Sequence, residues 1–176
     1  TFLKIKNHFS EKKIGIIIQA RLGSSRLPNK VLLPLGKNKD AVIIFLIKRL
    51  KEYLNLPIYV AIPDNHQNDI LFDLLISKDF FVFRGSENNV LSRFYNCAKE
   101  NNLNTIVRLT ADCPLVNPKT IIKMLETFNI ENIDYLSNTT PLNKSTFPDG
   151  SDIEIFSYNA IRKIFKNKYS KRYLEH

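Results

Sequence analysis

Three cations fall within ten residues in Arg21-Leu-Gly-Ser-Ser-Arg-Leu-Pro-Asn-Lys30. Gly23 lets the backbone turn tightly and approach a ligand, Ser24 and Ser25 add hydroxyl donors, and Arg21, Arg26 and Lys30 add charge. Such a loop is a polyanion cradle. Backbone N–H groups together with Arg and Lys commonly hold a nucleoside triphosphate, which brings ~4 negative charges. The segment has neither the GxGxxG nor the GxxxxGK[ST] phosphate fingerprint, and the bland alternative is an exposed basic loop.

A second segment, Val107-Arg-Leu-Thr-Ala-Asp-Cys-Pro114, ends an apolar run on a carboxylate. Mg²⁺ takes one or two protein carboxylates and fills its remaining positions with phosphate and water, so Asp112 is the candidate metal ligand and catalytic residue. Taken alone, an Asp at that place is as readily a turn former or a helix cap. A triphosphate cradle and a metal carboxylate in one chain support each other.

Both loops need a scaffold that brings them together, and the hydrophobic periods predict one. Residues 14–20 read as a strand buried on both faces, followed directly by the basic loop. Asp40 is the expected N-cap of a helix carrying Val42, Phe45, Leu46, Leu50 and Leu54 on one face, with Lys48, Lys51 and Glu52 opposite. Strands at 58–62, 80–83 and 105–109 alternate with helices around 70–75 and 90–98. Pro118 opens another helix reaching about Phe128, and 135–137 and 153–156 read as further strands. Repeated alternation implies an α/β fold with a Rossmann-like, mostly parallel sheet, helices on both faces, right-handed crossovers and its ligand outside the carboxyl ends of the strands. Residues 138–150, rich in Asn, Thr, Ser and Pro, form the least regular stretch and read as a flap or an interface.

The 176 residues, 44% apolar and 24% charged, suit one globular domain with its own core and exclude a disordered tail or a fibre. The longest apolar run, residues 41–47, is far shorter than the ~18 residues of a membrane span. No basic-then-apolar leader opens the sequence, and Cys97 and Cys113 are too few for a disulfide framework, so a cytoplasmic location is expected. Net charge is +9, from 26 basic against 17 acidic residues. Residues 1–13 and 162–176 carry most of that excess, and 14–161 net only +1. Without a basic stripe in the core, nucleic acid and membrane are not expected partners. His8 and His66 read as surface residues.

Four segments in order, ARLGSSRLPNK at 20–30, FRGSENNVLSRF at 83–94, RLTADCPLVNP at 108–118 and FPDGSDIEIF at 147–156, resemble the sugar-activating cytidylyltransferases. The nearest branch is typified by the spore-coat polysaccharide protein SpsF and is related to the acylneuraminate and KDO enzymes. The resemblance spans residues 14–176, with 1–13 as a basic lead-in. It implies a nucleotide-diphospho-sugar transferase fold and Mg²⁺-dependent transfer of CMP from CTP to an acidic or related sugar, with release of pyrophosphate. By that analogy Ala20, Arg21, Gly23 and Ser24 line the nucleotide, Arg21, Arg26 and Lys30 grip its phosphates, and Asp112 binds the metal. Residues 61–64 and 84–87, with Ala61, Arg84 and Ser86, fall at the cytosine pocket, and Asp149, Asp152 and Glu154 face the sugar. A homodimer formed through residues 136–156 is a further implication.

The chain departs from the family pattern at Ala111 and Asn29, where Gly is usual or frequent. It also stops at His176, before the segment that carries a second metal carboxylate, which implies a truncated and inactive form, or substitution by Asp149, Asp152 or Glu154. Three other readings stay open: a nucleotidylyltransferase using another base or acceptor, a non-catalytic nucleotide-binding module, and nucleic-acid binding through the charged ends.

Overall fold

The computed structural model of the chain describes residues 13–24, 26–139 and 147–166. Ser25, most of the basic lead-in with His8, the centre of the irregular stretch at 140–146, and the end from 167 to His176 lie outside the described residues.

Three consecutive isoleucines explain the centre of the fold. In β1 (Ile14–Gln19), Ile16 and Ile18 point to one face of the sheet and Ile17 to the other, all fully buried, so both faces must be covered. The same alternation recurs in β4 (Ile58–Pro63) and β6 (Thr105–Thr110). Each such side chain contributes roughly 1.5–3 kcal/mol on leaving water. On the first face lie α1 (Val42–Tyr53), α2 (Asp69–Ile76) and α4 (Pro118–Ile130). On the second lie α3 (Val90–Glu100) and α5 (Tyr158–Lys166). Strand β5 (Phe81–Gly85) lies at one edge of the sheet and β7 (Tyr135–Ser137) at the other, with β8 (Glu154–Ser157) beside β7.

The sheet runs β5-β4-β1-β6-β8-β7. Strands β5, β4, β1 and β6 are parallel, whereas β8 is antiparallel to both neighbours. The mostly parallel α/β sheet with helices on both faces is therefore as expected, with one reversed strand inserted near an edge. A separate two-stranded ribbon, β2 (Pro34–Leu35) with β3 (Asp40–Ala41), precedes α1.

That ribbon corrects one expectation. Asp40 does not cap α1: Ala41 occupies the cap position and makes no side-chain cap bond. Asp40 is instead held in the ribbon, and both its carboxylate oxygens accept from Lys48 Nζ at 2.8 Å. An ammonium within reach on the helix outcompetes the capping geometry. Asn117 does cap α4, accepting from Lys119 N at 3.0 Å, with Pro118 in the first turn.

Five glycines serve the whole chain because other residues take the left-handed turns. Asp79, Asn102 and Asn132, which follow α2, α3 and α4, have φ of 56°, 53° and 47°. Asn and Asp tolerate that region better than other side chains, so the helix exits need no glycine. Helix α5 was not anticipated from the sequence, where its charges read as part of the basic excess at 162–176. It is docked by aromatic stacking, with Tyr95 of α3 4.2 Å from Phe165 and 5.7 Å from Tyr158 between ring centroids.

Candidate functional site

The chain runs outward from β1 to β4 and β5, then returns under the sheet through α3 to β6 on the opposite side of β1. The loops leaving β1 and β6 consequently diverge, and a crevice opens at their carboxyl ends. Gln19 and Thr110 are paired in the register, and Ala111 N donates to Gln19 O at 2.9 Å, so the two loops start side by side. Asn29 takes φ 55° immediately before a single 3-10 turn, Lys30–Leu32, which explains why glycine is frequent there and Asn acceptable. That turn aims Lys30 across the crevice, where its ammonium donates to the Asp112 carboxylate. Burial works against the charged form of Asp112, but the Lys30 hydrogen bond and charge, helped by Thr110, hold its carboxyl below the usual range.

A cavity of about 810 Å³ fills this crevice. Arg21, Arg26 and Lys30 line it with Gln19, Ala20, Ser24, Leu27 and Val31. Thr110, Ala111, Asp112 and Cys113 come from β6 and its loop, and Asp149, Gly150 and Asp152 precede β8. One wall is therefore cationic and the facing one acidic.

Local chemistry shapes the acidic wall. Gly150 adopts φ 79° between the two aspartates, a turn that other side chains strain to make. Asn138 clamps the segment, its side chain donating to Ser151 O and accepting from Ile153 N, both at 2.8 Å. Burial, then the charges of Asp149, Glu154 and Asp112, push the Asp152 carboxyl up. The cavity thus concentrates negative charge beside its cations.

Among the described residues no three His, Cys, Asp or Glu side chains converge to cage a metal ion. Mg²⁺ does not need such a cage, and a carboxylate facing phosphate-binding cations suits it. Asp112, with 38% of its side chain exposed and Asp149 and Asp152 in the same cavity, fits that role.

Other expected site residues lie outside the cavity lining. Arg84 is committed to α2 and its approach, with Nη1 2.7 Å from Asp69, Nη2 donating to Asn65 O at 2.9 Å and the guanidinium over Phe72. Gly85 O, one residue on, accepts from Asp64 N at 2.7 Å, which ties the expected base-side loops together. Ala61 is buried in β4, Ser86 lies beyond β5, and a side chain at Gly23 would meet Gln67. Glu154 is engaged on both oxygens, Oε2 with Arg108 and Oε1 with Tyr135, while Arg108 also donates to Gln19. His66 is exposed, as expected, and its Nδ1 lies 3.1 Å from Asp69.

Two residues that sequence reasoning missed support these loops. Arg93 is buried in α3 and donates through Nη1 to Ser86 O at 2.7 Å; burial, then the Arg21 charge, lowers its pKa to about 10. Its sequence signal is a cation three residues after Val90 and four before Cys97, on the apolar stripe of its helix. Asn68 is buried at the start of α2 and has no comparable signal.

A family profile described as cytidylyltransferase matches residues 15–176. The chain is 39% identical over 165 residues to an uncharacterized protein of Methanocaldococcus jannaschii, covering 93% of this chain and 65% of that one. It is 38% identical over 127 residues to the spore coat polysaccharide biosynthesis protein SpsF of Bacillus subtilis, covering 69% and 52%. The chain therefore spans about half to two thirds of these relatives. A solved cytidylyltransferase structure from Leptospira borgpetersenii superposes with a TM-score of 0.84 at 34% identity, covering 94% of this chain and 69% of that chain. Among the described residues no helix is long and apolar enough to cross a membrane.

Proposed function

The chain belongs to the cytidylyltransferase family, and from that membership we propose that it transfers CMP from CTP to a sugar acceptor, releasing pyrophosphate, in surface polysaccharide or glycoconjugate synthesis. The observation that carries this reading is the single cavity in which Arg21, Arg26 and Lys30 oppose Asp112, Asp149 and Asp152. A triphosphate fits the first wall by charge, and a hydroxyl-rich acceptor fits the second by its many hydrogen-bond acceptors.

An acceptor hydroxyl attacks the α-phosphorus in line, and charge grows on the departing pyrophosphate. Lys30 and Arg21 stabilise that charge with donors fixed beforehand by the loop, so positioning and electrostatics supply the rate and no covalent nucleophile is used. Ala20, Gly23, Ser24 and Arg26 complete the nucleotide cradle. Ala61 and the loop carrying Arg84 and Ser86 serve the cytosine end. Asp149 and Asp152 orient the acceptor, and Glu154 holds the start of β8 in place through Arg108. Mg²⁺, held by Asp112 with phosphate and water, would neutralise triphosphate charge. We further assign the protein to the cytoplasm, consistent with two free, buried cysteines among the described residues. We also assign it a homodimeric state, formed through the segment 136–156.

The test is pyrophosphate release from CTP, UTP, ATP and GTP with Mg²⁺ and a panel of acidic, neutral and amino sugars. CTP-dependent release with one acceptor class supports the reading. Release from no nucleotide, or equal release from UTP or GTP, overturns it.

A further inference from the structure

Asn68 closes a 3-10 turn, His66–Asn68, that runs directly into α2, so its side chain is not needed to cap the helix. Asn68 is instead turned inward, 1% exposed. Its Oδ1 accepts from Leu22 N at 3.0 Å, inside the basic loop between Arg21 and Gly23. Its Nδ2 donates to Asn65 Oδ1 at 2.6 Å, and Asn65 Nδ2 donates in turn to Glu87 Oε2 at 2.7 Å, in the loop after β5. The direction of the relay is fixed at both ends, since a backbone N–H needs an acceptor and a carboxylate needs a donor. Three loops from three strands are thus joined by two side-chain amides. The Asn65 carbonyl also takes Arg84 and the Asn68 N–H, which leaves the junction no slack.

We propose that Asn68 is a positioning residue that couples the phosphate-gripping loop at 21–30 to the base-side loop at 84–87, so that filling one half of the nucleotide site aligns the other. This rests on the cytidylyltransferase reading above, with the loop at 84–87 on the cytosine side. The bond to Leu22 ties the phosphate loop to this junction, because Leu22 N–H would otherwise be left unsatisfied in the interior. The relay is neutral along its buried length and charged only at its exposed end, Glu87, so it transmits position rather than potential.

Coupling between two halves of a ligand is measurable as a linkage factor. Cytidine binding is titrated by calorimetry with and without saturating pyrophosphate and Mg²⁺, and CTP binding is titrated alongside, on the wild-type chain, Asn68→Asp and Glu87→Ala. Asn68→Asp keeps the acceptor for Leu22 N–H and sets a carboxylate oxygen against Asn65 Oδ1 in place of the donor, adding a negative charge at the junction, whereas Glu87→Ala adds none and serves as its control. Glu87→Ala cuts the relay at its exposed end, away from the core. The expected wild-type factor is about tenfold, the change that one hydrogen bond commonly supports. In both variants that factor falls to about one and CTP binds roughly tenfold more weakly, while pyrophosphate alone binds within about twofold of wild type. A purely structural role would weaken pyrophosphate and CTP together and leave the factor intact, which overturns the proposal. A wild-type factor of one, with CTP still bound, also overturns it. A wild-type chain that binds neither CTP nor pyrophosphate overturns the cytidylyltransferase reading itself and this coupling with it.

Discussion

Replacing Asp112 by Asn should change the affinity for CTP in opposite directions with and without Mg²⁺. In metal-free buffer the Asp112 carboxylate opposes the incoming triphosphate twice, by its own negative charge and by holding the Lys30 ammonium. Two charges ~4 Å apart interact by about 1 kcal/mol in water and about 4 kcal/mol near a protein surface. With 38% of its side chain exposed, Asp112 sits toward the aqueous end of that range. Removing its charge should therefore be worth ~1–2 kcal/mol, or roughly 5- to 30-fold tighter CTP in EDTA. With Mg²⁺ the sign reverses, because the cation loses its carboxylate, and CTP should bind at least about tenfold more weakly. The same substitution breaks only a part-exposed ion pair, so Tm should move by no more than about 4 °C. Calorimetric titration of CTP in the two buffers measures both signs. Equal or weaker binding in both refutes the placement of Asp112 beside the cation, and a much larger fall in Tm refutes the separation of site from scaffold.

Asp152→Asn should raise Tm at pH 7: burial and its acidic neighbours raise the Asp152 carboxyl in the folded state, so its ionised form costs stability as pH rises through the window above the unfolded pKa. The gain should disappear at pH 3, where the carboxyl is protonated folded and unfolded, and a thermal scan at the two pH values checks it. Glu154→Gln weakens the Arg108 bond while keeping the side chain's shape, and should lower the urea midpoint by the equivalent of about 1–2 kcal/mol with the slope unchanged. Burial pushes the Cys97 thiol up to about 12, so a disulfide reagent at pH 8 should leave it unreacted in the native protein and titrate it once guanidinium exposes it.

Much of the scaffold was legible because its cause is local. Apolar runs such as 14–20 and 105–109 are short, β-branched and bounded by polar loops, and Pro118 carries a helix start in its own chemistry. The reversed direction of β8 was not legible, since a strand's own pattern says nothing about the direction of its neighbours. Asp40 misled for a similar reason: the cap signal lies within four residues, whereas the competing Lys48 lies eight away. In the site, the cations of 21–30 and Asp112 could be read because charge at the end of a strand is conspicuous. Asn68 could not. Its role is set by Leu22, 46 residues distant, and by Asn65, whose side chain is spent on Glu87. Arg93 sits between these cases, visible as a cation on an apolar stripe, with its partner, the Ser86 carbonyl, invisible in any sequence.

The reversed strand has a consequence for how such a protein can diverge. In β1 and β6 the residues that reach the crevice come after the strand, so altering them disturbs the entry to the next helix. Strand β8 runs the other way, and the residues that reach the crevice come before it, in a segment that enters a strand rather than a helix. Asp149 to Asp152 can therefore be exchanged, lengthened or shortened while the cradle around Lys30 keeps its shape. The acidic and the cationic sides of the crevice are thus written in separate stretches of one chain, free to vary apart.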